Sequence, residues 1–192
     1  MAILGARKIW RLCGLVFPVC YYFGSKTLAF WIVFLSLSFF ILIEILRGIK
    51  PNFNERLFII FKPVLKEKEK RSLLSTTWLI FSVFLTMLFF KKEFAIVAML
   101  FLVLGDIASW LIGTYFGKIS IGRHTLEGSV AFFTSCLIIG ILLNQFSYIK
   151  LSWRVIILGA LSATLAELFP WLDDNFTISL FSGMMMTLVS KI

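Results

Sequence analysis

From Thr27 to Ile43 no residue is charged, and apolar runs of similar character recur almost to the end of the chain. About 20 consecutive apolar residues are what an α-helix needs to cross the hydrocarbon of a bilayer. Of 192 residues, 60% are hydrophobic and 15% charged. A soluble domain averages roughly half apolar and a quarter charged. The sequence therefore predicts an all-α, polytopic membrane helical bundle. Its length fits a single domain over residues 1–192.

Seven apolar segments follow in order. The first, Leu12 to Phe23, is short for a span and contains Pro18. It lacks a small-residue cleavage site and is expected to be a retained helix. The others are Thr27 to Leu46, Leu73 to Phe90, Phe94 to Phe116, Gly128 to Asn144, Trp153 to Phe169 and Phe176 to Val189. About seven transmembrane helices are thus expected. Between the second and third lies a polar stretch, about residues 50–72. Phe53, Leu57, Phe61 and Val64 or Leu65 recur there near the helical period, interrupted by Pro63. The expectation is an amphipathic segment on the membrane surface, followed by a solvated run from Lys66 to Arg71. Cys13, Cys20 and Cys136 all lie in apolar runs and have no metal-ligand spacing.

The formal charge is +9. No interleaved basic and aromatic surface module for nucleic acid is visible, so the excess is read as topology and attraction to anionic headgroups. With the N-terminus inside, 13 of the 19 Lys and Arg residues fall on the cytoplasmic side. The same orientation gathers Glu44, Arg47, the loop from Lys118 to Glu127, Glu167 and the Asp173-Asp174-Asn175 turn on that side. One site facing the cytoplasm is expected.

The chemistry centres on Asp106. A carboxylate inside an apolar helix is costly and by default marks function. Gly105, Ser109, Gly113 and Gly117 surround it at helical spacing and allow a close approach of another backbone or a ligand. Lys118, Arg123, His124, Thr125 and Glu127 follow in a short polar loop. Asp106, Glu127, Asp173 and Asp174 are hard oxygen donors suited to Mg²⁺, which binds through a few carboxylates and substrate phosphates. Lys118, Arg123 and His124 can clamp phosphate oxygens. These are the parts of a phosphoryl- or nucleotidyl-transfer site. Each has a plainer reading: Asp173 and Asp174 as a capping turn, Asp106 in a structural ion pair, Glu44 and Arg47 paired three apart on one helix face.

The chain resembles the CTP-dependent polyprenol/dolichol, phytol and diacylglycerol kinase family, itself similar to the phosphatidate cytidylyltransferases. The resemblance rests on Gly105, Asp106, Gly113, Phe116, Gly117 and Lys118, then Thr125, Glu127, Gly128 and Ser129. It continues through Glu167, Pro170, Asp173, Asp174, Asn175, Ile178 and Leu180. Arg7-Lys8 and the Glu44, Arg47 pair match weaker early motifs. Four positions depart from the family pattern: Ser109 stands for Ala, His124 for Lys, Ser179 for Pro and Arg11 for His.

The resemblance implies CTP as donor, Mg²⁺ as cofactor and a lipid alcohol as acceptor, at the face of a multi-pass membrane protein. It implies Asp106, Asp173 and Asp174 toward Mg²⁺ and triphosphate, with Glu127 as a further ligand or base. Lys118, Arg123, His124, Thr125 and Gly117 would lie toward phosphate, with Asn175 orienting a carboxylate or nucleotide. Arg7, Lys8, Glu44, Arg47 and Glu167 would be lipid-side or supporting. The leading expectation is a lipid kinase. A cytidylyltransferase is the alternative enzyme, although its downstream Lys-Arg signature is missing. A transporter or membrane scaffold is the non-enzyme alternative; polar groups near the midplane would fit it better than groups gathered on one side.

Overall fold

The computed structural model describes residues 9–145, 149–169 and 173–191. Arg7, Lys8 and Pro170 lie outside the described residues. Among the described residues there are eight helices: α1 (Ile9–Phe23), α2 (Lys26–Ile49), α3 (Pro51–Ile60), α4 (Ser75–Phe89), α5 (Lys92–Phe116), α6 (Leu126–Leu143), α7 (Trp153–Leu168) and α8 (Asp174–Val189). A two-stranded hairpin, β1 (Ser120–Ile121) and β2 (His124–Thr125), joins α5 to α6.

Seven of these helices coincide with the seven apolar segments, but their lengths differ. Among the described residues, α2, α5 and α6 alone are long and apolar enough to cross a membrane, judged by length and composition. The 15 residues of α4 rise about 22 Å at 1.5 Å each, short of a hydrocarbon core of about 30 Å. The fold is therefore all-α with three candidate spans, surrounded by shorter apolar helices.

The helices begin where the sequence supplies caps. The side chains of Ser25, Thr125, Ser152 and Asp173 accept from backbone amides in the first turns of α2, α6, α7 and α8. Pro51 opens α3, where its missing amide is not needed.

On α2, Ala29, Val33 and Leu37 are buried at four-residue spacing, while Leu28, Trp31, Leu35, Phe39 and Leu42 are exposed. One face packs on the bundle, and the other is an extended apolar surface of the kind that belongs in a bilayer. By contrast, the first half of α5 is buried on all sides, from Phe94 to Met99. It forms the axis of the molecule, with α1, α4, α6 and α8 packed against it.

Small residues set how closely the helices approach. A Cβ on Gly128 would lie 2.9 Å from the backbone oxygen of Ser109 and 3.3 Å from the Cα of Gly113. The second half of α5 and the start of α6 thus touch backbone to backbone, as the small-residue ridge predicts. Gly140 instead makes room for a side chain: a Cβ there would lie 2.5 Å from a methyl group of Ile156 on α7. Gly122 takes the left-handed conformation (φ 60°) at the hairpin turn.

The stretch after α3 keeps Glu67, Lys68, Lys70 and Arg71 exposed, as a solvated run should, and departs from it at Glu69. Glu69 is buried and accepts from the backbone amides of Lys66 (2.9 Å) and Ser75 (3.3 Å) and from the Ser75 hydroxyl. It folds residues Glu67–Lys70 into a tight 3₁₀ turn. Arg47 donates to the backbone oxygen of Glu69 and, through Nε, to Asn54 Oδ1 (3.0 Å). Its guanidinium also pairs with Glu44 and sits 5.5 Å from the centre of the Phe58 ring. Glu44 accepts from the Leu74 amide and the Thr77 hydroxyl, both at 2.8 Å. Glu44 and Arg47 are therefore a clasp that ties the polar connection to the end of α2 and the start of α4.

We expect Gly128→Val to lower the unfolding free energy of the detergent-solubilised protein by about 1–3 kcal/mol, the usual cost of overpacking. Gly48→Ala should not, because a Cβ at Gly48 meets nothing within 4 Å. Thermal unfolding of the two variants against the parent checks this.

Candidate active site

The axis helix is not uniform. Residues Phe101–Gly105 form a π turn, and Asp106 begins the α-helical turn that follows. A π turn inserts one residue into the helical repeat and is a frequent marker of functional positions. Asp106 emerges from it 3% exposed and paired with the guanidinium of Arg11 on α1. A buried carboxylate needs such a partner, because leaving one ion unpaired costs several kcal/mol.

Beside Asp106 lies a polar cavity of about 230 Å³. Its walls come from the second half of α5, the hairpin and the end of α7, including Asp106, Ser109, Gly113, Arg123, His124 and Glu167. The glycine contact between α5 and α6 brings the hairpin close to α5. A Cβ on Gly117 would strike the backbone oxygen of Gly113 and the Thr125 side chain, so glycine is required there. Thr125 caps α6 by accepting from the Gly128 amide at 3.2 Å.

Glu167 holds this cradle together. It is fully buried, and it accepts from Ser109 Oγ at 2.7 Å, Ser129 Oγ at 3.3 Å and His124 Nδ1 at 2.8 Å. One carboxylate therefore joins α5, α6, α7 and β2. The hydrogen bond to Glu167 raises the His124 pKa above its ordinary value, against the opposing effect of burial.

The other face of the Arg11–Asp106 pair opens on a second cavity, about 270 Å³, lined by Arg11, Lys66, Glu69, Asp174 and Asn175 together with apolar side chains. Asp173 and Asp174 both lie within electrostatic reach of Arg11, and Asp174 and Asp106 within that of His124. Asp173 is a cap: its Oδ1 accepts from the Asn175 amide at 3.1 Å and from Asn175 Nδ2 at 2.8 Å.

The expected site residues thus divide. Asp106, Arg123, His124, Thr125 and Glu167 share the polar cradle, Gly117 packs against Thr125 beside it, and Asp174 and Asn175 line the neighbouring cavity. Lys118 is exposed and lines neither cavity. Glu127 accepts from the Ile119 amide at 3.3 Å, bracing the hairpin, and also lines neither. Glu44 and Arg47 form the clasp described above. Sequence reasoning missed Lys66 and Glu69 as cavity residues. The one signal was a carboxylate at Glu69 among cations just before an apolar helix.

Among the described residues, no three His, Cys, Asp or Glu side chains converge to hold a metal by themselves. The donor set fits an ion that arrives with a nucleotide instead. Magnesium bound in that way needs only one or two protein carboxylates, the remaining oxygens coming from phosphate and water. Asp106, which lines the polar cradle, would be the carboxylate placed to meet such an ion.

No protein-family profile matches the chain, and no solved structure matches it. Curated proteins do. CTP-dependent diacylglycerol kinase 1 of Saccharomyces cerevisiae is 26% identical over 186 residues, covering 84% of this chain and 64% of that protein. The protein of the same name from Eremothecium gossypii is 27% identical over 171 residues, covering 76% of this chain and 54% of that protein. The chain is distantly similar to CTP-dependent diacylglycerol kinases. It spans less than two thirds of the length of either. An uncharacterized protein of Rickettsia prowazekii is 25% identical over 180 residues, covering 91% of this chain and 88% of that protein.

Against the kinase-family pattern, the four departures have partners. Ser109 and His124 both bind Glu167, so two replacements share one carboxylate. Arg11 pairs with Asp106. Ser179 is buried against the hydroxyl of Ser82 and 3.3 Å from that of Thr86.

The His124–Glu167 pair makes stability depend on pH. Because folding raises the His124 pKa, its contribution is complete below 6.5, the unfolded value, and is lost as pH rises through the folded value. We expect a loss of about 1 kcal/mol over that rise, allowing for the partly exposed ring. Replacing His124 by Gln should flatten the curve, as read from the unfolding midpoint across neutral and mildly alkaline pH.

Proposed function

We propose that this chain is a CTP-dependent lipid kinase, which moves the γ-phosphoryl group of CTP to the hydroxyl of a membrane lipid alcohol at the cytoplasmic face. The observation that carries the reading is the pairing of two unlike cavities across one buried ion pair. One is a polar, glycine-walled cradle; the other is part polar and part apolar. Both sit in an apolar bundle that is similar, over most of its length, to CTP-dependent diacylglycerol kinases.

In this reading the cradle takes the triphosphate. Arg123 and protonated His124 donate to phosphate oxygens, and the close approach at Gly113 and Gly117 leaves room for them. Glu167 fixes the His124 ring so that its other nitrogen faces the ligand. Asp106 would hold a nucleotide-borne Mg²⁺, which would neutralise charge on the triphosphate when bound. The lipid oxygen attacks the γ-phosphorus, the bond from that phosphorus to the β–γ bridging oxygen breaks, and CDP leaves. The hydroxyl proton passes to Asp174, one of the two carboxylates lining the second cavity. Positioning and charge neutralisation supply most of the rate.

Labelled nucleotide tests the reaction. Purified protein with Mg²⁺, diacylglycerol, polyprenol and phosphatidic acid should give organic-soluble label from γ-labelled CTP and none from α-labelled CTP. Label from the α position alone would make the chain a cytidylyltransferase; label from neither would favour a non-enzyme role. Arg123→Gln should cut transfer by about tenfold or more without unfolding the protein, since Arg123 is exposed. Asp106→Asn alone is a poor probe, because it leaves Arg11 buried without its carboxylate. The double variant Arg11→Gln, Asp106→Asn removes both charges and should be folded but inactive.

Orientation is tested separately. In a background lacking Cys13, Cys20 and Cys136, cysteines at Ser120 and Asp173 should both react with an impermeant thiol reagent from the cytoplasmic side. Labelling from opposite sides would break the single-face reading.

A further inference from the structure

The second cavity has the form of a lipid site. One part of its wall is apolar, from Phe17, Phe40, Leu79 and Ile80. Its outer rim includes the exposed Trp10 and Cys13 on α1 and the half-buried Ser36 and Phe40 on α2. The neighbouring α2 residues Leu35 and Phe39 are 62% and 58% exposed on the apolar outer face. At about 270 Å³ the cavity is too small for a whole diacyl or polyprenyl lipid and has room only for the head end of one, with α2's apolar outer face beside its rim.

The polar wall says which head. Arg11 and Lys66 face Glu69 and Asp174 there, two cations against two carboxylates, and Arg11 already pairs with Asp106. Burial, and then the nearby Arg11 charge, pull the Lys66 ammonium below its ordinary pKa. No net positive field is left to attract a phosphate.

Asn175 adds a specific demand. It is 1% exposed, and its amide nitrogen donates to the Ser75 backbone oxygen (3.2 Å) and to Asp173 Oδ1 (2.8 Å). Both partners are pure acceptors, so the amide orientation is fixed and Oδ1 points the other way. That oxygen is buried and has no hydrogen-bond partner among the described residues. A buried acceptor without a donor is unfavourable, and a ligand that donates relieves it. A doubly ionised lipid phosphate has no proton to give and brings negative charge beside Glu69 and Asp174; an alcohol has a proton and brings no charge.

We infer that this cavity is the acceptor pocket, and that it selects a neutral lipid alcohol over a lipid phosphate through Asn175 Oδ1 and its balanced charges. The inference rests on the kinase reading for its place in a reaction, and its test does not need the reaction. Protein in nanodiscs is irradiated with a photoactivatable diacylglycerol and, separately, with a phosphatidic acid carrying the same photoactive chain, and the attached peptides are mapped.

Capture of the diacylglycerol should fall on Trp10 to Phe17 and on Ser36 to Phe40, and unlabelled diacylglycerol or polyprenol should compete at least about tenfold better than phosphatidic acid. Ser36→Trp, which fills the rim, should reduce capture about tenfold while stabilisation by CTP is kept. Asn175→Leu should lose the preference for alcohol over phosphate. Capture elsewhere, capture indifferent to Ser36→Trp, or an equal or stronger preference for phosphatidic acid overturns the inference. If capture is as expected and no label moves from γ-labelled CTP, the kinase reading fails and the pocket stands. If label moves and Ser36→Trp leaves the KM for lipid unchanged, the kinase reading stands and the pocket fails.

Discussion

A charge in an apolar bundle must meet its opposite, and the Arg11–Asp106 pair is where this chain meets that requirement. Asp106 belongs to the axis helix and Arg11 to the first, so the pair fixes how α1 lies against α5. Arg11 is also drawn toward the start of α8 by Asp173 and Asp174. Without the pair, α1 would contribute only a short apolar surface, and both cavities would lose a wall. Glu167 does the corresponding work for the other helices, with hydroxyls and an imidazole in place of a guanidinium.

Much of this arrangement is legible in the sequence. Long uncharged runs become helices because nothing else satisfies the backbone in an apolar setting. Gly113 and Gly128 mark a backbone contact because small residues at helical spacing serve little other purpose there. Asp106, His124 and Glu167 stand out because ionisable groups near apolar runs are expensive, and the fold gathers all three. Helix length is less legible: hydropathy marks a segment as apolar without saying where capping or a turn will end it, so α4, α7 and α8 came out shorter than a span.

What the sequence hides is pairing across the chain. Lys66 to Arg71 reads as a solvated charge run, since alternating signs usually face water. Glu69 is instead turned inward by amide groups of its own loop and of α4, a geometry no periodicity announces. Lys118 and Glu127 match the expected motif yet line neither cavity, and the hairpin between them supplies Arg123, His124 and Thr125 to the cradle instead. The replacements at Ser109 and His124 look like two independent losses along the chain. In space both bond the Glu167 carboxylate, so the two belong to one hydrogen-bonded cluster.

The π turn from Phe101 to Gly105 gives the axis helix an angular phase that it would not otherwise have. A regular α-helix advances about 100° per residue, so the extra residue swings every later side chain by roughly that angle relative to the buried half. With a regular repeat, the face that buries Phe94 to Met99 would continue unchanged, and Asp106 would be aimed away from Arg11. The chain thus separates two tasks along a single helix: the first half is indexed to the packing of its neighbours, and the second is indexed to the ion pair and the cradle. A loss or gain of one residue anywhere in that turn would preserve composition, hydropathy and helix length almost unchanged, while removing the register on which the site is built.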